Sequence, residues 1–195
     1  MIFDDHGKIE RIEAYERNDA HRLIEECRLA ANVCASEFLR ESEHPSLYRV
    51  HEGPTPERLV KLRDFLGTFG FQLGGGDEPK AKDYAKLLET IGQRPDRQLL
   101  QTVMLRSLRQ AIYSPDNVGH FGLAYESYTH FTSPIRRYPD LLVHRAIKSA
   151  LAGRRYEPAG GATAVAEICL QCSLPERPAD AATRHVKAWP TAFYM

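Results

Sequence analysis

Apolar residues recur every three or four positions along several stretches of the chain, and this spacing predicts amphipathic helices. The first stretch begins after the capping pair Asn18-Asp19 and continues to about Glu43. Because its apolar stripe should face the core, we expect Cys27 and Cys34 to be small buried residues rather than metal ligands. The whole stripe comprises Ala20, Leu23, Ile24, Cys27, Ala31, Cys34 and Phe38.

Further helices are predicted downstream. Thr55 is a helix cap, and Pro56 suits the first helical position, where a missing N–H costs nothing. The buried face of that helix should carry Leu59, Leu62 and Leu66. Helices are also expected at about residues 79–91, 97–113 and 141–151.

Short apolar runs between turn signals predict strands. Residues 1–15 contain two such runs around the turn-forming residues 4–7, which indicates a hairpin. A third run at residues 47–51 is also typical of a strand. The glycine run at 74–76 lacks the trailing Lys-Ser/Thr of a phosphate-binding P-loop, so we interpret it as a turn. These elements predict an α+β fold, with a helix-rich layer packed on a small mixed sheet.

Residues 120–144 combine features typical of an anion-binding helix start. Residues 121–131 alternate in polarity and predict a strand or an extended segment. The Thr-Ser-Pro segment at 132–134 then predicts a helix cap and the first helical residue. Arg136 and Arg137 would lie in the first turn, where free N–H groups favour an anion and guanidinium groups bind phosphate bidentately. The pattern leaves open the alternative that both arginines belong to a solvated face.

A longer pattern of fixed spacing runs through the same stretch without a gap. It comprises His120-Phe121-Gly122-Leu123, Tyr128-Thr129, Phe131-Thr132-Ser133-Pro134-Ile135-Arg136-Arg137-Tyr138, Asp140 and His144. This pattern resembles the signature of the RNB family, which includes ribonuclease II and ribonuclease R. Flanking segments at 17–32, 47–57, 73–77 and 101–115 are similar to the bacterial ribonuclease R branch. On this resemblance the chain is identified as a member of the family, with a partial RNB catalytic domain.

The resemblance implies hydrolysis of RNA from the 3′ end to nucleoside 5′-monophosphates, with Mg2+ in the intact family enzyme. It implies a catalytic role for Arg136, which would stabilise charge developing at the scissile phosphate. One of the paired glutamates at 25 and 26 should face the RNA sugar, and we favour Glu25 for the contact that distinguishes RNA from DNA.

A single-stranded RNA 3′ end is the expected partner. Thr132 and Ser133 would offer hydroxyl and backbone donors to a phosphate. His120, Tyr128 and Tyr138 would line the RNA channel, and packing support is an equally open alternative for each of them. The full set of residues expected to bind RNA is Glu25, Asn32, His120, Tyr128, Thr132, Ser133 and Arg137.

The chain departs from the family in two places. The family's metal-binding aspartate cluster has no counterpart, since Asp4-Asp5 is the only adjacent pair and lies in the expected hairpin turn. We therefore expect residues 1–195 to be the second half of an RNB domain, inactive alone, whose upstream half and oligonucleotide-binding modules lie elsewhere. In residues 156–195, Pro178 and Pro190 oppose helix continuation, so we expect a disordered or divergent tail there.

Composition narrows the functional classes only slightly. Lys+Arg and Asp+Glu number 26 each, so a basic surface for RNA must be local. No apolar stretch could span a membrane and no signal peptide is evident, so we expect a cytoplasmic protein without membrane contact. Four cysteines are too few for a disulfide scaffold, and the single CxxC at residues 169–172 is only a weak zinc signal.

Three interpretations of the chain stay open at this point. It is a segment of a processive 3′-to-5′ exoribonuclease, a catalytically inactive RNA-binding remnant, or a truncated fragment that folds poorly alone. The first interpretation predicts an aspartate-rich strand encoded upstream.

Overall fold

A computed structural model describes residues 1–13, 16–156, 158 and 161–194, and the side chains at 161–163, 193 and 194 lie outside this description. Within these ranges, the structure is an α+β fold in which helices predominate and the strands are short. The elements are β1 (Ile2–Phe3), β2 (Ile9–Arg11), α1 (Asp19–Glu41), β3 (Tyr48–Val50), α2 (Pro56–Thr68), α3 (Ala81–Ile91), α4 (Arg97–Ser107), β4 (Ile112–Ser114), a 3-10 turn (Phe121–Leu123), α5 (Tyr138–Leu151), α6 (Gly161–Ser173) and α7 (Glu176–Tyr194).

The described strands form two separate antiparallel pairs rather than one mixed sheet. The hairpin of β1 and β2 confirms the predicted turn, in which Asp4 Oδ1 accepts hydrogen bonds from the N–H groups of His6 and Lys8. In the second pair, β3 lies against β4 with Arg49 opposite Tyr113. The prediction of a helix through residue 113 was therefore wrong, because residues 112–114 pair with β3 and bury Tyr113.

Helix α1 begins where the sequence predicts but buries a different face. The Asn18 side chain caps it by accepting a hydrogen bond from the His21 N–H. The predicted apolar stripe was wrong: Cys27 and Cys34 are both exposed. The helix contacts α5 near its C-terminal end, so the face that becomes buried there is Asn32, Ala35, Ser36 and Leu39.

Three apolar clusters hold the remaining elements. The largest joins α2, α3 and α4, and it confirms the predicted buried face at Leu59, Leu62 and Leu66. A second cluster brings α6 against β4 and α5, with Cys169 only 2% exposed. The third joins α1 to α5. Because burial of apolar area is the main stabilising contribution, these clusters fix how the helices surround the β3–β4 pair.

The end of the chain is helical, whereas the sequence led us to expect an irregular segment. Helix α6 covers Gly161–Ser173 and α7 covers Glu176–Tyr194. Pro178 is the third residue of α7, where an N–H would have no acceptor within the helix, so proline is tolerated. Pro190 lies inside α7, at the position that the sequence singled out. Residues 157, 159, 160 and 195 of the expected tail lie outside the described residues.

In the described part of the chain, none of the helices has the length and apolar character needed to cross a membrane.

Candidate nucleic-acid interface

The two arginines of the signature lie in a turn before α5, not in its first helical turn. Helix α5 begins at Tyr138, with Arg137 in the capping position and extended backbone angles. The Ser133 carbonyl accepts hydrogen bonds from the N–H groups of Arg136, at 3.3 Å, and Arg137, at 3.1 Å. Pro139, rather than Pro134, occupies the start of the helix, so the predicted helix start was wrong by about one turn.

A buried asparagine from α1 fixes the segment that leads into this turn. Asn32 is 3% exposed, and its Oδ1 accepts hydrogen bonds from the N–H groups of Phe131, at 2.9 Å, and Thr132, at 3.2 Å. Its amide group donates to the Tyr128 hydroxyl at 2.8 Å. Both polar atoms of the Asn32 side chain therefore bind the signature segment (residues 120–144), which follows about 100 residues later in the chain.

A buried aspartate from α5 holds the turn itself. The Asp140 side chain is completely buried, and its Oδ1 accepts hydrogen bonds from the Ser133 N–H and from Arg137 Nη2, both at 2.7 Å. Asp140 is the third residue of α5, where the partial positive charge of the helix N-terminus also favours a carboxylate. The two ends of the turn, Ser133 and Arg137, are thereby joined through one carboxylate oxygen.

These bonds change what Thr132 and Ser133 can offer to RNA. The N–H of Thr132 donates to Asn32 and the N–H of Ser133 donates to Asp140, so neither is free for a phosphate. The Thr132 hydroxyl is buried and makes no hydrogen bond among the described residues. The expectation that their backbone groups bind phosphate is therefore not supported, and the roles predicted for the two hydroxyls stay predictions.

Three arginines gather beside His130, and their pairing differs. Arg49 forms a bidentate ion pair with Glu176, with N–O distances of 3.1 and 2.9 Å, and stacks on Tyr113. Arg137 is paired with Asp140 at 2.7 Å. In the part of the chain that the structure describes, the exposed Arg136 guanidinium has no hydrogen bond or ion pair.

The same arginines lower the basicity of His130. Burial is the main cause, and the positive charges of Arg137, Arg49 and Arg136 add to it, so that the pKa of His130 falls to about 3. The Tyr113 hydroxyl and His130 Nδ1 share a hydrogen bond, with 2.7 Å between the two atoms. Because Arg49 and Arg137 are paired with Glu176 and Asp140, Arg136 is the one of these three arginines that presents an uncompensated charge to solvent in the described part of the chain.

A series of aromatic rings backs this surface. Tyr128 packs edge-on against His120 at 5.3 Å and His130 at 5.8 Å, and it stacks on Tyr125 at 5.9 Å between ring centroids. Tyr128 is only 5% exposed, and burial lowers the pKa of His120 to about 4. Both residues therefore support the signature segment from within, and their predicted part in RNA binding, which stays a prediction, would act through that support.

Glycine at position 122 allows the signature segment to approach β3 closely. The Gly122 N–H donates to His51 Nδ1 at 2.9 Å, and a Cβ at this position would lie 2.8 Å from the same nitrogen. A Cβ cannot approach a ring nitrogen so closely without a shift of the segment.

Glu25 lies on α1 two helical turns before Asn32, which places the two side chains on similar sides of the helix. It is about half exposed and forms an ion pair with Arg17. Because Asn32 faces the signature segment, Glu25 extends from the same side of α1 as that segment. The carboxylate is exposed but paired with Arg17, so its contact with an RNA sugar stays a prediction and would require that ion pair to open.

No cluster of three or more His, Cys, Asp or Glu side chains that could hold a metal ion occurs among the described residues. Asp4 is engaged in its own hairpin turn. The CxxC pair is built into α6, where burial raises the pKa of the Cys169 thiol to about 12. The donor set described here does not fit the divalent metal that the resemblance implies for the intact enzyme.

Comparison with known proteins agrees with the signature. The family model described as the RNB domain matches residues 1–153. The chain belongs to the RNB family. Ribonuclease R of Vibrio cholerae serotype O1 is 52% identical to this RNB chain, and the alignment covers 100% of the chain but 25% of that protein. The chain thus spans about a quarter of the length of the curated relatives it matches.

Solved structures share the fold of this RNB chain. Mycoplasma genitalium RNase R, solved in complex with ribose methylated single-stranded RNA, matches with a TM-score of 0.69 and 30% identity, over 74% of this chain and 23% of that one. Yeast Ssd1, described as a pseudonuclease, matches with a TM-score of 0.70 and 24% identity, over 80% of this chain and 20% of that one. The second likeness concerns the fold alone.

Several residues that build the interface were not singled out by sequence reasoning. Asp140 appeared only as part of the signature pattern, although its position three residues after Arg137 is a recognised spacing for an ion pair on a helix. Arg49, Glu176 and His130 gave no local signal, because their contacts join residues up to 127 positions apart.

Proposed function

We propose that this chain is the segment of a 3′-to-5′ hydrolytic exoribonuclease that presents Arg136 to the scissile phosphate of single-stranded RNA. Family membership and the relatives named Ribonuclease R support this proposal. In the proposed reaction, water cleaves the terminal phosphodiester and releases a nucleoside 5′-monophosphate. The upstream part of the RNB domain would complete the site.

The observation that carries the proposal is the different pairing of the three neighbouring arginines. Arg49 and Arg137 are neutralised by Glu176 and Asp140. Arg136 is exposed within the turn, and among the described residues it has no acidic partner. A guanidinium kept free of internal partners on a rigid support is suited to charge that develops on a phosphate oxygen.

RNA contacts would spread over the surface around this turn. Glu25 would accept a hydrogen bond from a ribose 2′-hydroxyl, which DNA lacks. Ser133 would contact a neighbouring phosphate through its hydroxyl, since its N–H is taken by Asp140. The solved complex of M. genitalium RNase R with single-stranded RNA supports the choice of ligand.

Divalent metal, Mg2+ in this proposal, would be held by residues beyond those described here. Such an ion would stabilise the attacking water and the leaving oxygen. The isolated chain should accordingly release no nucleoside monophosphate from single-stranded RNA, even with Mg2+ added. Such release by the pure chain, free of contaminating nuclease, would contradict this part of the proposal.

A chimeric enzyme tests the proposed role of Arg136. This chain would replace the matching quarter of Ribonuclease R from V. cholerae, to which it is 52% identical. We expect Arg136→Ala to lower kcat by about 10²–10³, with a small effect on RNA affinity, because the interaction is made mainly in the transition state. Arg136→Lys should restore only part of the loss, since an ammonium keeps the charge without the planar fork.

Arg58→Ala provides a matched control for this experiment. Arg58 is an exposed arginine on α2 that donates to the Leu108 carbonyl, so it lies on a different element from the turn at residues 133–137. It should leave kcat near that of the parent chimera. A tenfold loss of RNA affinity with unchanged kcat in Arg136→Ala would make Arg136 a positioning residue for RNA rather than a catalytic one.

A catalytically inactive RNA-binding remnant is the second candidate, favoured by the lack of a metal-binding cluster among the described residues. It predicts that the isolated chain binds single-stranded RNA and that the chimera remains inactive. An active chimera that depends on Arg136 would exclude it.

A further inference from the structure

The Arg136 turn is closed by one side chain that touches both of its ends. Asp140 Oδ1 accepts the Ser133 N–H at the beginning of the turn and Arg137 Nη2 at its end, each at 2.7 Å. Between these ends, the Ser133 carbonyl accepts the Arg136 and Arg137 N–H groups. Arg136 therefore projects from a loop whose two ends are fixed to the same atom.

Stability alone is a poor explanation for this carboxylate. Asp140 is completely buried, and desolvation of a buried charge offsets much of its attraction to a partner. Its second oxygen, Oδ2, makes no hydrogen bond among the described residues, and neither does the buried Nε of Arg137. The two hydrogen bonds that Asp140 does make end at the same oxygen, so the carboxylate holds Ser133 and Arg137 close to each other.

Pairing with Asp140 also removes a competitor. Arg137 follows Arg136 directly and is 19% exposed in its ion pair. Without Asp140, the Arg137 guanidinium would be free to bind the same anion as Arg136, or to point away from the turn. The carboxylate thus determines which of the two adjacent arginines faces solvent.

We propose that Asp140 is a positioning residue for the reaction, acting through Arg136 by clamping Ser133 and Arg137 at the two ends of the turn. This inference rests on the proposed function of Arg136. Asp140 does not contact RNA, since no part of its side chain is exposed. It fixes the direction of the Arg136 side chain before RNA binds.

A double-mutant cycle in the chimeric enzyme tests the inference. Asp140→Asn keeps an oxygen to accept the Ser133 N–H but removes the charge that holds Arg137. We expect kcat to fall roughly ten- to a hundredfold, because a small displacement of a reacting group is costly, while KM changes by less than about twofold. In the Arg136→Ala background, the same substitution should lower kcat by less than about twofold, because the two residues act as one unit.

Two further variants keep the test decisive. Arg137→Gln removes the other half of the ion pair and replaces Asp140→Asn if that variant fails to fold. We expect Arg137→Gln to lower kcat as well, and the loss should largely disappear in the Arg136→Ala background. Asp64→Asn alters an exposed aspartate on α2 and should leave kcat and KM unchanged.

The outcomes separate this inference from the proposed function. Equal losses of kcat in both backgrounds would show that Asp140 acts only through general stability, and an unchanged kcat in Asp140→Asn would also overturn the inference. Both results leave the role of Arg136 intact. An unchanged kcat in Arg136→Ala would overturn the proposed function, and the inference with it.

Discussion

At the scale of single residues, the interface is defined by which polar groups already have partners. Asn32 and Asp140 take the N–H groups of three consecutive residues, from Phe131 to Ser133. Buried polar groups must be satisfied, so these bonds hold the signature segment in one conformation. The N–H groups of residues 131–133 are therefore not free for a ligand, whereas the Arg136 side chain is exposed.

His130 should make the stability of the chain depend on pH. Its folded pKa of about 3 lies below the ordinary value of 6.5, so the unfolded chain binds the proton more readily. The folded state is therefore favoured fully above pH 6.5 and loses that advantage as pH falls toward 3. We expect a loss of about 1 kcal/mol in the free energy of unfolding between pH 6.5 and about 5, after allowance for solvent screening.

Urea denaturation of the parent chain and of His130→Gln at both pH values checks this expectation. Glutamine can form a hydrogen bond with the Tyr113 hydroxyl but does not titrate, so the variant should lose less stability over the same range. Equal pH dependence in both proteins would show that His130 does not contribute.

At the scale of elements, α1 shows how packing selects one face among several that periodicity allows. Leu23 and Ile24 are 63% and 60% exposed, although they belong to the most apolar stripe of the helix. The buried face includes the polar Asn32 and Ser36, whose hydrogen bonds reach Tyr128 and Ser127. When a helix packs through buried polar side chains, an apolar stripe in its sequence does not predict which face is buried.

Two cysteines test this assignment of faces. Cys169→Ala removes a sulfur that is 2% exposed in the α6 cluster and should lower the free energy of unfolding by about 1–2 kcal/mol. Cys27→Ala changes an exposed position on α1 and should stay within about 0.5 kcal/mol of the parent. Thermal or urea unfolding measures both, and a larger effect for Cys27→Ala would support the stripe predicted from the sequence.

At the scale of the whole molecule, α7 is joined to the rest by few described contacts. It packs against α6, and Glu176 at its first position is paired with Arg49 on β3. The Arg49 side chain is 13% exposed, so this ion pair is shielded from solvent more than an ordinary surface pair. The ion pair between Glu176 and Arg49 therefore links α7 to the β3–β4 pair.

Glu176→Gln should loosen α7 without unfolding the other helices. Loss of the charged hydrogen bonds to Arg49 should lower the free energy of local opening by about 1–2 kcal/mol, equivalent to roughly tenfold faster amide exchange in α7. Hydrogen exchange followed by mass spectrometry measures this, with Glu167→Gln on α6 as an exposed control. Equal exchange in the parent and both variants would show that the ion pair does not hold α7.

The sequence by itself determined the features that depend on neighbouring residues. The Asn18 cap, the Thr55-Pro56 start of α2 and the hairpin at 4–7 were all confirmed, because each rests on bonds spanning only a few positions. The signature likewise identified the family and the arginine pair. These signals are local, but the cap predicted at residues 132–134 failed, because tertiary hydrogen bonds to Asn32 and Asp140 replaced it.

Only the tertiary structure decided how the arginine pair is divided. The start of α5 at Tyr138, the pairing of Arg137 and the exposure of Arg136 depend on Asn32 and Asp140, which lie on two different helices and bind successive backbone N–H groups of residues 131–133. Asn32 lies about 100 positions from the segment it holds, a separation across which no cap or periodicity carries information. The buried Asp140 carboxylate determines that Arg137 is paired and Arg136 is left exposed. A buried charge must be paired, whereas an exposed charge need not be.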